Sequence, residues 1–326
     1  MKRLLSIKNI EISFAVLIAL WQIAYMAGGI NEALFPSPLK AWDALLEMIS
    51  DGSIFTNIGA SMYRFVIGYI SAILAAVLLG LFLGWFKGIF KYVNPIVQLL
   101  RPISPMAWMP FIVLIFGIGD ILAIVIIFIA AFLPVFLSTV SAVGNIDPIY
   151  LKVSENFGVK PPQILWKVIL PSAFPQIASG IHLALGTAWV FLVAGEMIGS
   201  QTGLGYLIID SRNNLRADTL LATIIVIGVI GILLDAITRM KLQDDILRIS
   251  QEAKKTVIFV THDIEEAVFL ADKVVIMTPN PGKIKCVLPI PLRHYRDRTS
   301  EDFLELRDKI FEIFNMKHEV VQDYII

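Results

Sequence analysis

Six long apolar stretches are the feature that most constrains how this chain can fold. A helix needs about 20 residues to cross the hydrocarbon core of a bilayer. Irregular backbone cannot face lipid, because its N–H and C=O groups would be left unpaired, so each stretch is predicted to be helical. The expected fold is an all-α polytopic membrane protein with six transmembrane helices. The stretches lie near residues 12–30, 58–86, 93–117, 121–143, 174–199 and 219–236.

Charged residues divide the 326 positions into two unlike parts. Only 25 Asp, Glu, Lys and Arg residues occur in 1–235, whereas 29 occur in 236–326. Soluble domains carry about 25% of such residues. The first part is therefore predicted to be a transmembrane domain, and the second a soluble part of the protein. The formal net charge is zero, so nothing indicates a nucleic-acid partner.

Basic residues in the loops predict the orientation. With the N-terminus in the cytoplasm, eight Lys and Arg residues fall on the cytoplasmic side and three on the outer side, which is the positive-inside bias. Six spans then place both termini in the cytoplasm. The spans themselves are expected to contact membrane lipid. The eight are Lys2, Arg3, Lys8, Lys87, Lys91, Lys152, Lys160 and Lys167, and the three are Lys40, Arg212 and Arg216.

The loop over 144–173 is the longest cytoplasmic connection between spans. It contains Gly158 and, after a gap of nine residues, Val168-Ile169-Leu170-Pro171. Gly158 suits a turn with positive φ, and Gln163 to Leu170 is predicted to be a short amphipathic helix. Long loops in compact proteins are often functional, although a plain surface connector is the alternative interpretation.

This loop resembles the cytoplasmic coupling loop of the permeases of binding-protein-dependent ABC importers. The family pattern is Glu-Ala-Ala, three residues, Gly, nine residues and Ile-x-Leu-Pro. Lys152-Val153-Ser154 stands at the Glu-Ala-Ala positions, so a basic residue replaces the family's acidic one. The resemblance covers roughly residues 10–235 and is greatest to the branch for sulfonates, taurine and nitrate. Its further motifs are Phe35-Pro36-Ser37-Pro38, the segment from Arg101 to Pro110, Phe116-Gly117-Ile118-Gly119, Ala184-Leu185-Gly186-Thr187-Ala188-Trp189, Glu196-Met197-Ile198-Gly199 and Gly203-Leu204-Gly205.

The resemblance implies a permease of the bacterial inner membrane that imports a small anionic solute such as a sulfonate, taurine or nitrate. It implies a homodimer, separate intact ATPase subunits that dock on the loop 144–173, and a periplasmic or lipid-anchored solute-binding protein. A secondary transporter is the alternative, but it predicts an inverted repeat that is not evident here. A membrane enzyme would need clustered catalytic groups within the spans.

The coupling residues that the resemblance implies are Gly158, Val168, Leu170 and Pro171.

Residues 236–326 resemble the C-terminal portion of the ATPase subunit of the same importers. Val257 to Val260 resembles its buried strand that ends in the switch histidine, here His262, and Lys273 to Met277 is predicted to be a second strand. The resemblance thus implies a small C-terminal α/β fragment. Asp235 lies where that ATPase has the loop after its catalytic carboxylate. The Gly-x4-Gly-Lys-[Ser/Thr] loop that cradles phosphates occurs nowhere in the sequence. We therefore expect an ATPase remnant without enzymatic activity, and ATP and Mg²⁺ bound by the partner ATPase rather than by this chain. A fusion with a retained regulatory tail is the alternative.

Ionisable and aromatic residues in the spans are candidate solute contacts. Arg101 in the third span and Glu196 in the fifth are costly to place in lipid, so they either mark a solute pathway or pair with each other. Arg101 suits an anionic solute, and structural pairing or snorkelling is its alternative. Trp108 is a further pathway candidate, with packing as its alternative. Gly186, Gly195 and Gly199 are expected to permit close helix packing.

Overall fold

The computed structural model describes residues 2–27, 34–146, 149, 154, 156–253, 258, 263–278, 282–293, 296–298 and 300–315. The chain forms two compact units, Met1–Ile237 and Thr238–Ile326. The division falls within two residues of the position at which the charge content of the sequence changes.

Helices account for nearly all of the described first unit. Four are long and apolar enough to cross a membrane, namely Ser53–Trp85, Asp120–Gly144, Leu165–Gly199 and Ala217–Thr238, and a bent pair of helices can supply a fifth crossing. In the part of the chain with described side chains, the apolar part of the first helix covers only Ala15–Ala27. The helices are α1 Lys2–Ala27, α2 Pro38–Ser50, α3 Ser53–Trp85, α4 Lys87–Leu100, α5 Met109–Phe116, α6 Asp120–Gly144, α7 Pro161–Ile164, α8 Leu170–Gly199, α9 Leu204–Asn213 and α10 Ala217–Ala253.

α3 and α6 pack side by side and run in the same direction. Gly68 lies against Ile127 in the first half of both helices, and Gly84 lies against Val143 near the end of both. Small residues allow the two backbones to approach closely, which is a common way for helices to associate within lipid. From Gly68 onward, the buried small residues of α3 recur at every fourth position and are Gly68, Ala72, Ala76, Gly80 and Gly84.

α8 packs against α6 in the opposite direction. Gly180 of α8 lies against Ser138 near the end of α6, and Gly199 lies against Leu122 near its beginning. The expectation of close packing is confirmed for Gly199 and for Gly195, where an added Cβ would lie 3.3 Å from the Cα of Ala123. It is wrong for Gly186, because nothing lies within 4 Å of a Cβ there.

The predicted third span is two helices rather than one. α4 and the segment Pro105–Phe116 meet at an angle of 87°. Pro102 lies in the connection, and Pro105 is the first residue of the second segment. Neither proline has the backbone N–H that would continue the hydrogen bonds of α4. Because α3 and α6 are parallel, the segment that joins the end of α3 to the beginning of α6 must still cross the membrane. It is therefore a broken span rather than a re-entrant loop.

The second unit contains a β-hairpin with flanking helices. β1 Lys273–Met277 pairs in antiparallel fashion with β2 Ile284–Pro289, and the flanking helices are α11 Ile264–Leu270 and α12 Glu301–Asn315. The strand predicted near Val274 is present, and its partner β2 was not predicted. The other predicted strand, Val257 to Val260, lies mostly outside the described residues. A small core joins the elements and includes Leu247, Val268, Phe269, Ile276, Phe303 and Ile310.

Candidate functional site

Gly158 lies in a left-handed turn before α7. Its φ is +68° and no atom lies within 4 Å of an added Cβ. The backbone N–H of Val159 donates to the carbonyl of Ser154 over 3.0 Å and closes the turn. A positive φ was expected from the sequence and is favourable for glycine because it has no Cβ. The turn is open on its outer side, so a side chain there would meet solvent or a partner protein.

The segment after Gly158 is continuous with α8 rather than a separate helix. α7 leads through a single π-helical turn, Leu165–Ile169, directly into α8. The predicted boundary at Leu170 is therefore wrong, because the helix continues through Pro171, directly after the π-helical turn that interrupts the regular hydrogen-bond ladder. Such π-helical turns are rare and occur frequently at functional sites.

The coupling segment 156–171 has one side anchored to the bundle and one side exposed. Ile164 and Ile169 are 2% and 1% exposed and belong to a cluster with Leu81 and Val143 at the ends of α3 and α6. Val168 and Leu170 are half-buried against the same cluster, and Pro171 is half-buried. The exposed side carries aromatic and basic residues, which are Phe157, Lys160, Trp166 and Lys167.

Glu196 is buried within a cluster of charged and polar residues at the opposite end of the bundle. Its side chain has 0% exposure, and its Oε1 accepts a hydrogen bond from Nη1 of Arg64 over 2.6 Å. The hydroxyl of Ser61 donates to the carboxylate over 2.8 Å. Arg64 also binds Asp120 over 2.7 Å and donates to the carbonyl and the hydroxyl of Thr202 over 2.7 and 2.6 Å. We call these five residues the Arg64 cluster.

Backbone N–H groups at the start of α9 close the Arg64 cluster. The amide of Gly205 donates to Oε2 of Glu196 over 2.9 Å, and the amide of Leu204 donates to the hydroxyl of Ser61 over 2.8 Å. A carboxylate is favoured at a helix N-terminus, where unpaired N–H groups point outward. Gly203 has a φ of +108° and leaves no room for a Cβ beside Glu196. The geometry therefore favours a structural role for Glu196 over contact with a solute.

The expected pairing of Arg101 with Glu196 is wrong, because Glu196 binds Arg64. Arg101 follows the last residue of α4, is exposed and makes no ion pair with any described residue. Trp108 ends a 3₁₀ turn and packs partly buried against Met109 and Ile112. Of the three predicted pathway residues, only Arg101 is exposed.

Asp235 lies in helix α10 within the first unit, so the expected ATPase-like loop at this position is wrong. Its Oδ1 lies 3.4 Å from Nε2 of His182, which links α10 to α8. Nδ1 of His182 is buried without a hydrogen-bond partner. The switch-histidine candidate His262 lies outside the described residues. Over the described residues, no three His, Cys, Asp or Glu side chains form a group that could hold a metal ion.

Sequence reasoning missed Arg64 and Asp120. Arg64 is the single charged residue within the 33-residue helix α3, and a lone arginine in an apolar helix is itself a signal of a buried partner. Its partner Glu196 was recognised as costly in lipid. Their pairing depends on the packing of α3 against α8 and was not evident in the sequence.

Comparison with known proteins extends over most of the first unit. Residues 76–241 match the family model described as binding-protein-dependent transport system inner membrane component. The chain is 31% identical over 228 residues to the taurine transport system permease protein TauC of Escherichia coli, with 68% of this chain and 83% of TauC covered. It is 33% identical over 226 residues to the putative aliphatic sulfonates transport permease protein SsuC of Bacillus subtilis, with 69% and 82% covered. It is 33% identical over 233 residues to the nitrate import permease protein NrtB of Leptolyngbya laminosa, with 69% and 83% covered.

Proposed function

The chain belongs to the family of binding-protein-dependent transport system inner membrane components, and we propose that it imports a small anionic solute as the permease subunit of an ATP-driven transporter. The observation that carries the proposal is the family match over 76–241, which includes the coupling segment, the end of α3 and all of α6, on which the segment is anchored. The chain is thus a multi-pass inner-membrane transport component rather than an enzyme. ATP hydrolysis belongs to a separate ATPase subunit.

The solute class follows from what the relatives are named for. Taurine, aliphatic sulfonates and nitrate, for which the relatives are named, share an oxyanion group whose negative charge is spread over three oxygens. Planar guanidinium and amide groups suit such an anion, because they can donate two N–H groups to two oxygens at once. The proposed solute is therefore a small sulfonate or nitrate-like anion delivered by a solute-binding protein.

Coupling to the ATPase is proposed to occur at the segment 156–171. The segment's apolar side is anchored on the bundle near Leu81 and Val143, so a force applied to its exposed side would move the ends of α3 and α6. The exposed aromatic residues Phe157 and Trp166 can fill a cleft on a partner, with basic groups beside them. Closing of the ATPase would then move two copies of the permease between outward-facing and inward-facing states.

Both termini are proposed to lie in the cytoplasm, on the side of the coupling segment. The second unit is proposed to be a remnant of an ATPase sequence that binds neither ATP nor Mg²⁺, because the phosphate-binding loop is absent from the whole sequence. Among its described residues the second unit has a hairpin of two strands, which is a small part of the sheet that a complete ATPase needs.

Uptake by proteoliposomes tests the proposal. The permease, its ATPase and its binding protein would be reconstituted, and uptake of labelled taurine, another sulfonate and nitrate measured with ATP on the ATPase side. We expect uptake that requires ATP and persists when ionophores collapse the ion gradients. Uptake without ATP that an ionophore abolishes would indicate a secondary transporter, and uptake of none of the anions would contradict the solute class.

A further inference from the structure

The polar residues of α4 lie on one face of the helix. From Lys87 to Arg101, five polar residues follow one another at separations of four, three, four and three positions. At 3.6 residues per turn these separations keep them within about a quarter turn of the helix. The amide of Gln98 donates to that of Asn94 over 3.3 Å. Asn94 is half-buried and the others are exposed. This polar face consists of Lys87, Lys91, Asn94, Gln98 and Arg101.

The remaining surface of α4 is apolar and has other neighbours. The side that carries Val97 packs against the hydrophobic core of the first unit. The side that carries Tyr92, Ile96 and Leu99 is exposed, with exposed fractions of 81%, 59% and 70%, and suits contact with lipid. By the helical periodicity this lipid-facing side lies opposite the polar face. The polar face therefore points away from the lipid-facing side, and four of its five residues are exposed rather than packed on the core of the chain.

The break after α4 also needs protein or water, rather than lipid, beside it. Residues 101, 102 and 104 are exposed, and they lie between the two helices of the broken span. Non-helical backbone at membrane depth is tolerated only where protein covers it or where it lines a water-filled cavity. Ionisable residues within spans likewise face a protein interior or a water-filled cavity. The exposed backbone of the break and the polar side chains of α4 thus both indicate water or protein, rather than lipid, beside the polar face.

We propose that the polar face of α4 and the break that follows it line a water-filled passage for the anionic solute. This inference rests on the proposed function and adds to it the residues of the passage. Arg101 attracts the anion, while Gln98 and Asn94 offer amide N–H groups to its oxygens. The two neutral amides beside Arg101 bind the anion weakly enough for it to leave again, as conduction requires.

Reaction with water-soluble thiol reagents tests the location of the passage. Single cysteines would be introduced in a Cys286→Ala background by Asn94→Cys, Gln98→Cys and Arg101→Cys, with Ile96→Cys and Leu99→Cys as matched controls on the lipid-facing side. The complete transporter in proteoliposomes would be labelled with a charged methanethiosulfonate, with and without ATP. We expect labelling at 94, 98 and 101 to be at least about tenfold faster than at 96 and 99, because a thiol in lipid stays protonated and unreactive.

Two outcomes of the labelling would overturn the inference. Equal labelling on both sides of α4 would show that the polar face has no special access to water. Unlabelled residues at 94, 98 and 101 that instead form disulfides between two copies would show a dry interface between permeases. Either result in a transporter whose wild type takes up the anion would refute the passage alone. A wild type without uptake would refute the proposed function itself.

Charge substitution tests the role of Arg101 in anion uptake. Arg101→Gln is expected to raise KM for the anion by about tenfold, the size typical of losing one charge-assisted hydrogen bond. Arg101→Lys should restore most of the affinity, since it keeps the charge. Arg212→Gln, which removes an exposed arginine in the last turn of α9, is the control and should leave KM unchanged. An Arg101→Gln variant with wild-type KM at equal membrane abundance would exclude Arg101 from the passage.

Discussion

Arg64 and Glu196 lie 132 positions apart, and Nη1 of Arg64 donates to Oε1 of Glu196 over 2.6 Å. Their side chains are 3% and 0% exposed. Neither charge could be left alone at this depth, since an unpaired buried ion is strongly destabilising. The pair joins α3 to α8, and Thr202 and Gly205 add the start of α9. With Asp120 at the beginning of α6, the Arg64 cluster therefore fixes four helices at one end of the bundle.

Glu196→Gln is expected to destabilise the protein by about 3 kcal/mol, because it leaves Arg64 with a buried charge that only Asp120 partly compensates. The change keeps the size of the side chain, so the loss reports the charge rather than a cavity. The loss of stability is measured by heating the protein in detergent and monitoring the fraction that still elutes as a monodisperse peak.

Glu47→Gln is the control for the charge change. Glu47 pairs with Arg216 over 2.7 Å, but both side chains are about half exposed. Exposed ion pairs contribute about 0–1 kcal/mol, so this variant should unfold at nearly the wild-type temperature. Equal effects of the two variants would show that the Arg64–Glu196 pair is not buried from water in the membrane protein.

Gly80→Ala tests the close packing of α3 against α6. An added Cβ would lie 2.6 Å from the Cβ of Thr139 and 3.3 Å from the carbonyl of Phe136, and neither atom belongs to the end of a flexible side chain. Overpacking of this kind costs about 1–3 kcal/mol. We expect a lower unfolding temperature and a normal amount of inserted protein.

Gly186→Ala is the matched control in another membrane helix. Nothing lies within 4 Å of the added methyl group, and alanine is a better helix former than glycine by about 1 kcal/mol. The variant should be as stable as the wild type or more so. A destabilised Gly186→Ala protein would indicate that a second copy of the permease packs on that side of α8.

Hydropathy predicted most of the fold, because lipid leaves a helix as nearly the sole option for a spanning segment. It did not predict the break in the third span. Proline was a poor guide, since Pro134 in α6 and Pro175 in α8 both lie inside unbroken helices. Pro102 and Pro105 together remove two nearby N–H donors, and Ser104 caps the new turn by accepting from the amide of Met106.

The site was less predictable than the fold, because its contacts join distant parts of the chain. Gly158 could be assigned a positive φ from local turn chemistry alone. Asp235 could not be assigned correctly from local resemblance, because its helix and its contact with His182 come from the membrane unit. The ion pair of Arg64 required the arrangement of α3, α6 and α8, which the sequence does not specify by any local pattern.

Removal of the second unit is expected to leave a stable permease. The first unit, Met1–Ile237, has its own core, and the second has a separate one around Val268 and Phe303. A chain that ends after Arg239 should insert into the membrane in wild-type amounts and, with its ATPase and binding protein, retain uptake. Uptake lost at normal membrane abundance would indicate instead a regulatory tail with a retained function.

Gly158→Asp is expected to leave the bundle folded and to abolish uptake. A side chain at a φ of +68° costs about 1 kcal/mol, which is too little to unfold a bundle of membrane helices. The new side chain would project into open space beside Phe157, on the side proposed to face the ATPase. Assembly is measured by copurification of the ATPase with the permease, and coupling by uptake at equal membrane abundance.

Gly52→Asp is the matched control for this substitution. Gly52 has a φ of +77° and equally open space around an added Cβ, but it lies before α3, at the end of the bundle opposite the coupling segment. The two variants therefore carry the same strain and the same new charge. We expect Gly52→Asp to retain ATPase assembly while Gly158→Asp loses it. Wild-type assembly and uptake by Gly158→Asp would show that the segment 156–171 is only a connector between α6 and α8.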